Sequence, residues 1–147
     1  MTPTRFLLPI ALVLLACGVR AGASEVKKVE LVEYDTLRFS PSTIEAQPGQ
    51  KVELTLKSES GFMNHKWVLL KPGIDLMEYS KQSLKAQHDK ATADKLSTEI
   101  LASSPLLGPK GSCIVTFTAP ATPGVYSYIC DCPLHATSGM KGNLVVK

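Results

Sequence analysis

Histidine and tryptophan are scarce in this 147-residue chain, with three of the first and one of the second. Nowhere does a nucleophile stand with a base and an orienting acid, so no substrate chemistry or enzyme is indicated. Charge of one sign is also lacking: sixteen basic residues face thirteen acidic ones. Setting aside residues 1–23, which carry Arg5 and Arg20 and no acid, leaves fourteen against thirteen, or +1. Such a surface has no bulk pull on nucleic acid, and no basic cluster supplies a local one. Internal repeats and low-complexity segments are absent. The longest apolar run, Phe6 to Ala16, is too short and wrongly flanked for an ordinary membrane span. The length suits one domain, and the portion beyond residue 23 can bury a core without cross-links.

What the first 23 residues do contain is an export signal: Arg5 as a short positive region, then the apolar run. Two processing readings stand side by side. Leu14-Leu15-Ala16-Cys17 matches the bacterial lipobox, which makes Cys17 the lipid-modified first residue of a lipoprotein and its anchor the only membrane contact. Ala21-Gly22-Ala23 is an Ala-x-Ala site, which releases a soluble protein beginning at Ser24. Either reading places domain 24–147 in the periplasm or at the outer cell surface, where disulfides are permitted.

Several short runs read as strands separated by Pro/Gly turns, the pattern of an all-β sandwich. They are Val26–Glu33, Leu37–Pro41, Lys51–Lys57, Phe62–Leu70, Ser112–Thr118, Gly124–Cys130 and Lys141–Lys147. In Lys51–Lys57 the alternation is clean and predicts Val52, Leu54 and Leu56 inward. In Phe62–Leu70 period two puts His65, Trp67 and Leu69 on one face. Residues 74–103 lose strand periodicity and predict a helical insertion, with one or two amphipathic helices over roughly 75–95. His88 reads there as part of a solvated helix face.

One loop concentrates unusual chemistry. Cys130-Asp-Cys-Pro-Leu-His135-Ala-Thr-Ser-Gly-Met140 holds a thiolate, an imidazole and a thioether between two strands. Sulfur and nitrogen donors together select copper, zinc or iron. The set lacks a second imidazole, and His65 is the candidate to supply it.

These residues carry a resemblance. Phe39-Ser-Pro41, Ile44-Glu-Ala46, Gly49 and Val52, then Asn64-His65 and Trp67, then Tyr126-Ser-Tyr-Ile-Cys130, His135 and Met140-Lys-Gly142 resemble the cupredoxins, the type 1 blue copper proteins. Met63 to Leu69 and the insertion after it are most similar to azurins. The Cys-x₄-His-x₄-Met spacing is nearer the auracyanin-like pattern. The resemblance implies a Greek-key β-sandwich and one copper ion, cycling between Cu(I) and Cu(II), on His65, Cys130 and His135 with Met140 as a weak axial ligand. It also implies the Asn64 backbone carbonyl as a distant axial ligand opposite Met140. The activity implied is one-electron transport between redox proteins, such as cytochromes and respiratory or oxidoreductase complexes, docking near His135 and Met63. Three positions depart from the family pattern: Lys66 replaces an Asn that ties the two ligand loops, Cys132 adds a thiol, and Leu134 replaces the Gly of azurins.

With Cys17 in the signal and Cys130 on copper, Cys113 and Cys132 remain. A short turn between residues 118 and 125 would pair Cys113 opposite residue 130, so a Cys113–Cys132 disulfide pinning the copper loop is expected. Two free thiols, or a Cys130–Cys132 bridge in apoprotein, are the other readings. A different function also stands open: copper handling or sensing, with Cu(I) held by Cys130, Cys132, His135 and His65.

Overall fold

The computed structural model describes residues 25–147; the segment read as an export signal and Cys17 lie outside the described residues. Two sheets pack face to face. One has strand order β2-β1-β4-β7 and the other β3-β9-β8-β5-β6. The strands are β1 (Lys27–Tyr34), β2 (Arg38–Ser40), β3 (Thr43–Ala46), β4 (Lys51–Ser58), β5 (Trp67–Leu70), β6 (Ile100–Ser103), β7 (Ser112–Thr118), β8 (Gly124–Cys130) and β9 (Lys141–Val146). Helices α1 (Leu76–Ala86) and α2 (Lys90–Ser97) sit between β5 and β6. The all-β sandwich with a helical insertion is thus the observed architecture.

Alternation builds the interior. Val52, Leu54 and Leu56 of β4 are all fully buried, as their spacing predicts. They face Trp67, Leu69, Tyr128, Cys130 and Met140 in one apolar cluster. A second cluster joins Val68, Leu70 and Ile129, on the outer face of the β5–β8 sheet, to Tyr79 of α1 and Leu96 of α2. That is why all four residues of β5 are buried: the sandwich covers one face and the helices the other.

Asp75 caps α1, accepting from the backbone N–H of Met77 and Glu78, and Asp89 caps α2 through Ala91. Three expectations need correction. The insertion is not helical throughout, because its last residues form edge strand β6 against β5. The strand expected from Phe62 begins only at Trp67. The Ser60 hydroxyl accepts from the Met63 N–H at 2.7 Å and Asp35 accepts from the Gly61 N–H at 2.8 Å, folding 60–63 into a turn. His65 makes an isolated bridge to Leu107 instead. Finally, β7 pairs with β4, and β8 with β5 and β9, so β7 and β8 lie in different sheets and form no hairpin. Cys113 therefore stands opposite Leu56, and Trp67 opposite Cys130.

Gly142 marks the tightest contact in the sheet below the metal loop. A Cβ there would overlap the Tyr128 ring and the Ser42 carbonyl. The Tyr128 hydroxyl donates to the Pro41 carbonyl at 3.0 Å and has no room to yield. Gly142→Ala is expected to cost about 1–3 kcal/mol through overpacking. Denaturant melts of apoprotein check this, and an unshifted midpoint contradicts it.

Candidate metal centre

Four segments converge at one end of the sandwich. His65 arrives on its bridge, its N–H donating to the Leu107 carbonyl at 2.9 Å and its carbonyl accepting from Leu107 at 2.8 Å. Cys130 ends β8. The loop from Asp131 to Met140 closes on itself: the Met140 N–H donates to the His135 carbonyl at 2.9 Å, and the Cys130 N–H donates to the Met140 carbonyl at 3.0 Å. His135 and Met140 are thus held to the strand end that carries Cys130.

The side chains meet. Cys130 Sγ lies 3.7 Å from His65 Nδ1 and 3.4 Å from His135 Nδ1. These donors all lie within 4.8 Å of one another. A borderline first-row ion with bonds of about 2.0 Å to nitrogen and 2.3 Å to sulfur separates such donors by roughly 3.5–3.8 Å. The spacing found therefore fits an ion. His65, Cys130 and Met140 are fully buried, and His135 is half-exposed. Asn64 is exposed next to His65, and Met63 is half-buried. His88 is exposed at the end of α1, as expected.

Electrostatics suit metal binding. Burial, then the neighbouring His65, hold His135 below the ordinary imidazole range and favour the neutral form that ligates. Contact with the Cys132 thiol, and then burial, push the Cys130 thiol up, while the same contact pulls Cys132 down. Both effects favour the protonated thiol, and a coordinating cation would displace that proton.

The departures from the family pattern acquire structural meanings. Leu134 has φ 66°, the left-handed conformation that glycine adopts freely, so this chain accepts backbone strain where azurins place Gly. Lys66 replaces the Asn tie with a charged one: its Nζ lies 3.0 Å from Asp131 Oδ2, and the Asp131 N–H donates to the Lys66 carbonyl at 2.8 Å. The expected Cys113–Cys132 disulfide is not formed. Cys113, Cys130 and Cys132 are all free thiols, because the hairpin that would have aligned Cys113 with the loop does not exist. Nor does Cys132 join the three-donor group, so the four-residue Cu(I) site is not assembled.

Sequence reasoning missed Glu33. It is fully buried on β1, with neither carboxylate oxygen hydrogen-bonded, beside Ser58, whose hydroxyl is also unpaired. Burial raises it to about 7. The signal was available, since Glu33 shares strand parity with Leu31.

Residues 26–147 match the family described as copper binding proteins, plastocyanin/azurin family. The chain belongs to that family. Among its relatives, auracyanin-A of Chloroflexus aurantiacus is 33% identical over 150 residues, covering 93% of this chain and 90% of that protein. The solved structure of auracyanin A from the same bacterium, described as a "blue" copper protein, superposes with a TM-score of 0.71 at 34% identity, over 83% of this chain and 99% of that one. The copper-resistant cuproprotein CopI of Rubrivivax gelatinosus is 28% identical over 126 residues, 86% of this chain and 70% of that protein. As a cupredoxin, the chain has copper as its cofactor and falls in the class of blue copper electron-transfer proteins. Among the described residues, no helix is long and apolar enough to cross a membrane.

Proposed function

We propose that this cupredoxin is an exported one-electron carrier whose copper would be held by His65, Cys130 and His135, with the Met140 thioether as a weaker donor. The convergence of the three donors on one point carries the reading. Copper supplies the chemistry, a Cu(I)/Cu(II) couple with no bond made or broken. The chain supplies rigidity. Cys130 and His65 sit on paired segments of a close-packed sandwich, so the donors keep one arrangement and little reorganisation accompanies transfer. The Asn64 carbonyl would be a further, weak donor to the ion.

Docking follows from the surface around His135. Leu134 is 65% exposed, Phe62 75% and Leu106 60%. Leu134 adjoins His135, Phe62 lies three residues before His65, and Leu106 adjoins the Leu107 that bridges His65. An apolar rim with the half-exposed His135 and Met63 suits brief contact with redox proteins such as cytochromes or oxidoreductase complexes. Residues 1–23, read as an export signal, put that exchange in the periplasm or on the outer surface, with Cys17 as the anchor if the lipobox is used.

The test is the visible absorption of residues 24–147 titrated with Cu(II). An intense blue charge-transfer band, bleached by reductant, is expected; a colourless protein that binds Cu(I) or zinc stoichiometrically overturns the reading. Met140→Ala should keep copper and the band but shift the potential, whereas Cys132→Ser should keep stoichiometric copper. Copper lost from Cys132→Ser and untouched in Met140→Ala points to a Cys₂His₂ site.

A further inference from the structure

The helical insertion is attached to the strands that carry the metal donors, and the attachment is specific. Ser83 of α1 donates its hydroxyl to Asp131 Oδ1; hydrogen bonds to a carboxylate are stronger than those between neutral groups. Asp131 Oδ2 takes the Lys66 ammonium at 3.0 Å, and the Asp131 N–H donates to the Lys66 carbonyl at 2.8 Å. Lys66 follows His65 directly, and Asp131 follows Cys130. The Asp131 side chain is only 11% exposed, so its bonds are sheltered from water. An apolar contact runs alongside: Tyr79 and Leu96 pack with Ile129, which precedes Cys130, and with Ala136, which follows His135.

We infer that the helical insertion is part of the copper-site scaffold, with Ser83 and Asp131 as positioning residues that set the Cys130 and His65 donors from outside the sandwich. The inference rests on the copper assignment above. One carboxylate collects three elements: α1 through Ser83, the His65 segment through Lys66, and the end of β8 through its own backbone. Cys130 Sγ hangs from that strand end, so a rotation of the Asp131 peptide re-aims the sulfur. A cleft of about 360 Å³ lined by Lys66, Tyr79, Ser83, Leu96, Ile100 and Asp131 lies against this junction. Loss of the Ser83 bond opens Asp131 to water from that cleft and frees the peptide.

The experiment compares the whole protein with Ser83→Ala, Ser83→Thr, Asp131→Asn and Lys66→Met, as apoprotein and after addition of Cu(II). In apoprotein, Ser83→Ala should speed amide hydrogen exchange at Asp131 roughly tenfold, the equivalent of one lost hydrogen bond. Ser83→Thr should restore it. In copper-loaded protein, Ser83→Ala, which changes no charge, should shift the charge-transfer band and the copper hyperfine splitting at unchanged stoichiometry. Asp131→Asn and Lys66→Met should shift them too. Variants that lower the melting temperature but leave the exchange rate and the spectrum of the parent overturn the inference. So do opposite potential shifts in Asp131→Asn and Lys66→Met with an unaltered spectrum, which mark a purely electrostatic effect. A parent with no thiolate–copper band sinks the copper assignment instead; exchange at Asp131 in apoprotein then decides the tie alone.

Discussion

Cys130→Ser is expected to abolish the blue band and to weaken copper binding by well over 100-fold. Losing a group that merely orients a ligand costs about 10–100-fold in metal affinity, and Cys130 is placed to bind directly. It also supplies the only negative charge in a set otherwise made of two imidazoles and a thioether. A serine hydroxyl keeps its proton and offers the metal a neutral, hard oxygen, the wrong partner for Cu(I). The fold should survive. The serine oxygen can hydrogen-bond the imidazoles that now face the sulfur at 3.4 and 3.7 Å. Visible titration with Cu(II), read beside a melt of apoprotein, separates the two effects. A variant that still gives the intense band refutes the ligand assignment.

Glu33→Gln is expected to flatten the pH dependence of apoprotein stability. The Glu33 carboxyl is fully buried without a hydrogen-bond partner, and burial raises it from 4.5 to about 7. The folded protein therefore keeps a proton that the unfolded chain releases. This contribution is complete below about pH 4.5 and is lost as pH rises through about 7. The difference corresponds to about 3 kcal/mol, on the scale of 1.36 kcal/mol per unit. Gln cannot ionise, so the variant should match the parent near pH 4.5 and exceed it near pH 8. Denaturant melts at pH 4.5, 6 and 8 provide the check. A parent and variant with the same slope between pH 4.5 and 7.5 contradict the burial of the charge.

Much of this was readable from residue order alone. Alternation placed Val52, Leu54 and Leu56 inward because a strand in a sheet with one solvated face obeys period two. The loop from Cys130 to Met140 announced its chemistry through residue type, and the missing imidazole pointed to His65, which the structure brings to the same point. What failed was whatever depends on the partner of a strand. Gly and Pro between β7 and β8 look like a hairpin turn, yet the chain crosses there from one sheet to the other, and the disulfide expectation fell with the pairing. Strand β6 was hidden because Ile100–Ser103 is only four residues long and is stabilised by lying against β5, with Ile100 and Ala102 no more than half-buried against the core. Lys66 stood out as an unusual neighbour for His65, but its answer, Asp131, is a residue that no local pattern connects to it.

The parallel pairings have a consequence for assembly. β3 pairs with β9, Thr43 opposite Asn143, and β1 pairs with β4 across the same sandwich. Such long-range pairings must close their intervening loops before they are rewarded, and they place the protein among slow folders, in milliseconds to seconds. Until β9 pairs with β8, Met140 is not held against Cys130, and the sheet that backs the pair is complete only when β3 joins β9. Throughout that interval the Cys130 and Cys132 thiols travel unprotected through an oxidising compartment, if the chain is exported as proposed. Maturation is then a race between strand docking and thiol oxidation, and copper can be captured only by the molecules that win it.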